Sequence, residues 1–275
     1  MAVLATLGLA GCLPSATLQP TAAVRRPDCP LPPADRVDAY TPTSLVPDWA
    51  QPQPLHPPLN TPCSEDAIEI SADGHYLYVL FSIIPPGGSE TGKLLDAPNG
   101  TYRFERVGGP LDFGHPVFFD LGQGSQASLD GELSFSPDGF SVFFHSLRAE
   151  NLGFQAKPPT DDFLDIYWAP IVDGWPGPGH NLGPPVNSIY PDGEQAIHPD
   201  GIHLHLTSMR PGGPGGDDIW VTSYSNGAWQ EPVNLGSPIN SPANDLQPAF
   251  TSDGATMYFV SNRDPALGSA IYRSH

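Results

Sequence analysis

The chain has 275 residues with 30 acidic and 11 basic side chains, a formal net charge of −19. That balance excludes a surface built to follow a nucleic-acid backbone. Its 29 glycines and 35 prolines are many, yet 13 Phe, 9 Tyr and 5 Trp supply more aromatic surface than a disordered chain carries. Short aromatic-rich strands joined by frequent turns fit this composition. Beyond the N-terminus no apolar run is long enough to span a membrane.

Residues 2–10 are almost wholly apolar and lead into Leu9-Ala10-Gly11-Cys12, a short hydrophobic core followed by small residues. The segment resembles the lipobox of bacterial lipoproteins. That resemblance implies a signal peptide over residues 1–11, acylation of Cys12, and outer-membrane anchoring, because Leu13 rather than aspartate follows the cysteine. No Lys or Arg precedes Arg25, which points to a start upstream of Met1. Residues 12–46, rich in Pro, Ala and Thr, read as an extended tether ahead of a folded unit over 47–275. With Cys12 taken by lipid, Cys29 and Cys63 remain as a pair that an oxidising compartment permits to bridge. A disulfide and two free thiols both stand open at this stage, since spacing alone does not give the Cα separation.

Along the folded unit one motif occurs four times: Ser71-Ala72-Asp73-Gly74, Ser136-Pro137-Asp138-Gly139, His198-Pro199-Asp200-Gly201 and Thr251-Ser252-Asp253-Gly254. The aspartates are 65, 62 and 53 residues apart. Each Asp-Gly predicts a hairpin turn with a positive-φ glycine, and each is followed by a strand-like run such as Tyr76-Leu77-Tyr78-Val79 or Met257-Tyr258-Phe259-Val260. Ten residues after the aspartate stands Arg148, Arg210 or Arg263, with Ile83 in the first copy. A third strand follows at Thr101-Tyr102, Asp165 to Trp168, Asp218 to Trp220 and Ala270 to Tyr272. A fourth follows at Trp229 to Gly236, with weaker versions at Pro116 to Gly122 and Trp175 to Gly183.

Four strands per unit of this size describe a β-propeller blade. The wording S-P-D-G, S-x-R, P-G-G, D-I-W and W-x-E-P-V-N-L-G resembles the WD40-like, TolB-type propeller repeats of bacterial envelope proteins, over roughly residues 47–275. The expected fold is therefore all-β, a propeller of four blades, with five as the alternative if one blade hides in the longer spacings of the first two copies. The last copy ends after its third strand, and Trp49 to Asn60 aligns without a gap to Trp229 to Asn240. The N-terminal segment is accordingly expected to supply the outer strand of the last blade and close the ring.

Eight residues before each turn aspartate stand Glu65, Asp130, Asp192 and Asp245, and six before stand Ala67, Glu132, Glu194 and Gln247. First strands line a propeller channel, so these positions form a candidate binding face at its mouth together with Arg148, Arg210 and Arg263. Two readings stand: the acids pair with the arginines to hold the repeats together, or an unpaired remainder binds Ca²⁺ or a polar ligand. The loops between second and third strands are longest in the first two copies, which predicts an uneven cleft carrying Lys93, Asp96, Lys157, Asp161 and Asp162. His198, His203 and His205 do not form a zinc motif. His205 takes the slot filled elsewhere by Tyr78, Phe143 and Tyr258, which reads as a core replacement.

No catalytic serine, phosphate-loop or dinucleotide signature occurs. The resemblance thus implies a lipid-anchored envelope propeller that binds or scaffolds a protein or glycan, with no cofactor and no catalytic residue assigned. The alternative is a carbohydrate-active hydrolase or lyase using paired carboxylates such as Glu132 and Glu194.

Overall fold

The computed structural model describes residues 55, 59, 64–82, 100–109, 111–122, 129–156 and 163–275. Cys12, Cys29, Cys63, the signal peptide, the tether and the loop residues Lys93, Asp96, Lys157, Asp161 and Asp162 lie outside them. Among the described residues no helix is long and apolar enough to cross a membrane.

Four antiparallel sheets form, each in chain order. The first contains β1 (Ser64–Ile70), β2 (Tyr76–Ser82), β3 (Gly100–Glu105) and β4 (Val117–Phe118). In the second, β5 (Leu129–Phe135), β6 (Ser141–Leu147) and β7 (Leu164–Val172) are flanked by β8 (Trp175–Pro176) and β9 (His180–Asn181), which both pair with β7. One short helix, α1 (Leu152–Ala156), lies between β6 and β7. The third holds β10 (Asp192–Ile197), β11 (His203–Ser208) and β12 (Asp218–Ser225), with β13 (Ala228–Trp229) and β14 (Val233–Asn234) on its outer side. In the fourth, β15 (Asp245–Phe250), β16 (Met257–Ser261) and β17 (Ala270–Ser274) are described. The molecule is a four-bladed propeller, and the extra length of the first two repeats falls between β2 and β3 and between β6 and β7.

The repeated tetrad builds the turn between first and second strands. Ser136 Oγ donates to Asp138 Oδ1 at 2.6 Å, the same oxygen accepts the Phe140 N–H at 3.0 Å, and the Gly139 N–H closes the turn on the Ser136 carbonyl at 2.8 Å. Gly139 sits at φ 74°, and its counterparts Gly74, Gly201 and Gly254 at 69°, 71° and 71°, where a side chain is strained. In the third blade His198 replaces the hydroxyl residue, and its Nδ1 accepts the Asp200 N–H at 3.2 Å.

Apolar surface is buried between blades. Tyr78, Phe119 and Leu121 of the first meet Leu133, Val142, Phe144 and Tyr167 of the second. Phe143 and Ile166 of the second meet Leu204, Leu206 and Trp220 of the third, and Ile219 of the third meets Met257 and Phe259 of the fourth. Leu235 and Ile239, in the segment linking the third blade to the fourth, pack on that last cluster. Their aligned counterparts, Leu55 and Leu59, pack on the cluster formed by Leu77, Val79, Phe81, Tyr102 and Phe104 of the first blade. The strand expected to precede Leu55 and pair with β17 lies outside the described residues.

Candidate functional site

Each acid of the outer ring is placed by the first residues of a blade's inner strand, and three of the four are neutralised. Arg148 Nη2 donates to Asp130 Oδ1 at 2.8 Å, while Arg210 and Arg263 reach Asp192 and Asp245 at 2.5 Å. Each guanidinium also donates through Nε to a serine on the second strand: Ser146, Ser208 or Ser261, at 2.7 to 2.9 Å. Its remaining donors go to carbonyls of the preceding linker: Leu121, Pro185 and Val186, or Pro238 and Ile239. Asp192 and Asp245, both 0% exposed, take further hydrogen bonds on Oδ2 from the N–H and hydroxyl of Ser188 and Ser241. Burial would raise the Asp245 carboxyl, but hydrogen bonds from Ser261, Arg263 and Ser241 hold it below its usual range. The arrangement is a clamp that ties each inner strand to the linker before it, with an arginine as the counter-charge of the acid. In the first blade Glu65 is half-buried, and the position plus ten, Ile83, lies outside the described residues.

A second device in the linkers escaped the sequence reading. Asn187 Oδ1 accepts the Ile166 N–H and its Nδ2 donates to the Ile166 carbonyl, both at 2.8 Å, as a neighbouring strand would. Asn240 does the same to Ile219 at 2.9 and 2.8 Å. The repeated pattern Asn-Ser followed by Asp four residues after the serine, at 187–192 and 240–245, is the signal that marks it.

Two residues further along the inner strand the chemistry changes. In every blade the pairing of first and second strands slips at this point, and Ala67, Glu132, Glu194 and Gln247 adopt φ of 48°, 49°, 46° and 55°. Such a bulge re-aims one side chain per strand. Gln247 on the fourth blade donates through Nε2 to Glu132 Oε1 on the second at 3.1 Å, and its own N–H goes to Thr207 Oγ1 at 3.1 Å. Glu132 Oε2 lies 3.5 Å from His145 Nδ1, too far to be satisfied, and the same nitrogen is 3.4 Å from the Glu194 N–H. Burial, then repulsion from Glu132, pushes the Glu194 carboxyl up to about 8, against the opposing pull of His145. Glu69, two residues after Ala67, is pushed up to about 7 by burial. No arginine answers these groups as one answers Asp192.

An open depression of about 750 Å³ lies between the third and fourth blades. It is lined by Gly212 to Pro214, by Asn234 and Asn240, by the linker from Gly236 to Pro242, and by Arg263. It adjoins the short glycine-rich loop of the third blade, a place the sequence did not single out, while the residues of the cleft expected beside the long loops lie outside the described ones. In the second blade α1 lies over the equivalent linker: a Cβ on Gly153 would be 3.3 Å from the Ile189 carbonyl, and Phe154 packs on Phe163 at 4.5 Å. In the third, Gly213 and Gly215 press flat on Asp218 and Ala243, where a Cβ would fall 1.6 Å from Asp218 Oδ2 and 2.0 Å from the Ala243 carbonyl. The loop thus lies against the end of the linker, and the Arg263 side chain is 25% exposed against 10% for Arg210.

His205 is the aromatic replacement expected, packed 4.6 Å from Phe250, and burial depresses its imidazole to about 4. His203 Nδ1 and His198 Nδ1 lie 2.6 and 3.0 Å from Asp200 Oδ2. Among the described residues no three His, Cys, Asp or Glu side chains converge as metal ligands.

No family model matches the sequence, and no curated protein matches it. Solved structures do. A protein of Agrobacterium tumefaciens described as a TolB is 19% identical with a TM-score of 0.44, over 72% of this chain and 54% of that one. A thermostable family-43 glycoside hydrolase is 12% identical with a TM-score of 0.44, over 76% of this chain and 70% of that one. A periplasmic gluconolactonase of Pseudomonas aeruginosa is 13% identical with a TM-score of 0.39, over 76% and 55%. The chain thus spans about half the length of the first of these. At such identities the likeness is one of fold alone.

Proposed function

We propose that this protein is a non-catalytic binding module of the bacterial envelope, anchored through Cys12, whose protein or glycan partner docks in the cleft between the third and fourth blades. The observation that carries the reading is the cavity of about 750 Å³ there, open at one blade interface and filled by α1 at the neighbouring one. It departs from the repeat symmetry, as a recognition site does when a repeated scaffold is specialised at one place. Its lining offers amides, hydroxyls, proline faces and an already neutralised guanidinium, and no acid–base pair. The anchor rests on Leu9-Ala10-Gly11-Cys12, with membrane fractionation of wild type and Cys12→Ser as its test. For the cleft, a glycan array and affinity capture are run with wild type and Ser237→Trp, which places an indole in the cavity. Ligands retained by wild type and lost by Ser237→Trp support the reading; equal retention overturns it.

One observation favours a hydrolase or lyase as a second reading. Glu194, pushed up to about 8, beside Glu132 has the form of a general acid paired with a base. Against it, a catalytic pair departs from the repeat, whereas Glu132 and Glu194 hold the same offset and the same positive φ in successive blades. Turnover of aryl glycosides that disappears in Glu194→Gln would reverse this preference.

A further inference from the structure

Three acceptor oxygens at the channel lack a donor: Glu132 Oε2, Glu194 Oε2 and Gln195 Oε1. Gln195 carries the point beyond a pair of acids. It is 5% exposed, its amide nitrogen donates to the Glu132 carbonyl, and its oxygen still meets no N–H or O–H. Buried acceptors are almost always satisfied, and these three belong to linked residues: Gln195 donates to the Glu132 carbonyl, and Glu132 repels the Glu194 carboxylate.

The chemistry of the missing donor is constrained from several sides. Carboxylates and an amide oxygen ask for a positive charge carrying N–H groups. A primary ammonium brings three donors, enough for Glu132, Gln195 and a Glu194 that has lost its proton. Fewer than three ionisable ligand side chains converge here, which sets the cluster apart from a metal site. Gln247, exposed on the fourth blade, reaches Glu132 on the second through one amide group, so the acids are covered from that side by a side chain free to move.

We propose that the channel mouth receives a protonated primary amine of a partner polypeptide, held by Glu132, Glu194 and Gln195 once the Gln247 side chain swings aside. The inference rests on the reading of the protein as a binding module and adds a contact separate from the cleft. Binding requires Glu194 to release its proton to solvent, because a neutral carboxyl would present a donor to a donor. The groups that bear on that proton are Glu132 and Asp217, which favour keeping it, and His145 and Thr207, which favour losing it.

The test is thermal unfolding with Nα-acetyl-lysine amide, its Nε-acetylated analogue and glycinamide, at constant ionic strength set with NaCl. The lysine derivative is expected to raise Tm with concentration and the neutral analogue to leave it unchanged. Glu194→Gln and Gln195→Leu should abolish the effect. Apparent affinity should be about tenfold greater at pH 9 than at pH 7, given a carboxyl pushed up to about 8. A larger effect from the lysine derivative than from glycinamide at pH 7 assigns the amine to a side chain; an equal effect assigns it to a chain N-terminus. Equal protection by the neutral analogue, protection retained in both variants, or protection by CaCl2 alone overturns the proposal. Ser237→Trp should bind the lysine derivative as wild type does, so failure of the cleft and failure of the channel are read separately.

Discussion

Asp192 and Glu194 stand two residues apart on one strand, both withdrawn from water, and meet opposite fates. The aspartate is surrounded by donors: Arg210, the Ser188 N–H and the Ser188 hydroxyl. The glutamate faces another carboxylate and an imidazole, and one of its oxygens has no partner. Burial alone therefore does not separate a structural acid from a reactive one. What separates them is whether the repeat supplies a counter-charge at the matching offset, and here it does so eight residues before the turn and not six.

The largest effect should come from breaking the satisfied half of that comparison. Arg210→Ala leaves Asp192 as an unpaired buried charge, and the expected loss is about 3–5 kcal/mol in urea unfolding. Arg210→Lys should recover part of it, since an ammonium restores the charge without the fork that reaches the linker carbonyls. Next comes the seam. Leu59, 4% exposed in the first blade's cluster, should cost about 2–4 kcal/mol when cut to alanine, whereas deleting residues 13–40 should leave the melting temperature unchanged. Equal effects would count against a structural role for the segment before β1.

The sign of the pH dependence sharpens the other half. The Glu194 carboxyl is raised in the folded state, so its protonated form stabilises the native protein, and stability should fall as pH rises from about 5 to about 8. Glu69, pushed up to about 7, acts in the same direction. Glu194→Gln should flatten the profile and make the variant more stable than wild type at pH 8.5, as read by calorimetry across that range. The smallest effect belongs to the turn. Gly139 has open space around a Cβ but a φ of 74°, so Gly139→Ala should cost about 1 kcal/mol from backbone strain alone.

Much of the scaffold was legible because the repeat writes its local chemistry at fixed offsets. Asp138 and Gly139 announce a turn that needs an Asx hydrogen bond and a left-handed residue, and Arg148, Arg210 and Arg263 announce a common partner. The clamp acids could be picked out but not judged, since whether Asp245 is neutralised depends on how close Arg263 comes after folding. The bulge at Glu132 and Glu194 left no local trace, because neither residue favours positive φ and the slip is set by the second strand. The depression beside the third blade's loop left no signal of its own, because nothing in Gly212-Gly213-Pro214-Gly215-Gly216 says that Gly213 and Gly215 lie flat on Asp218 and Ala243.

The arginine clamps also determine how the ring comes apart. Each holds the linker of the preceding blade, so a blade cannot fray outward without releasing its neighbour's connection, and the second, third and fourth blades should exchange their amide hydrogens as one cooperative unit. At the junction of the fourth blade with the first, the residue at the clamp offset is Ile83 rather than arginine. The expected order of exchange follows from that one residue: amides of β1 and β2 ahead of those in the three arginine-clamped blades, as a latch opens before the hinges it faces.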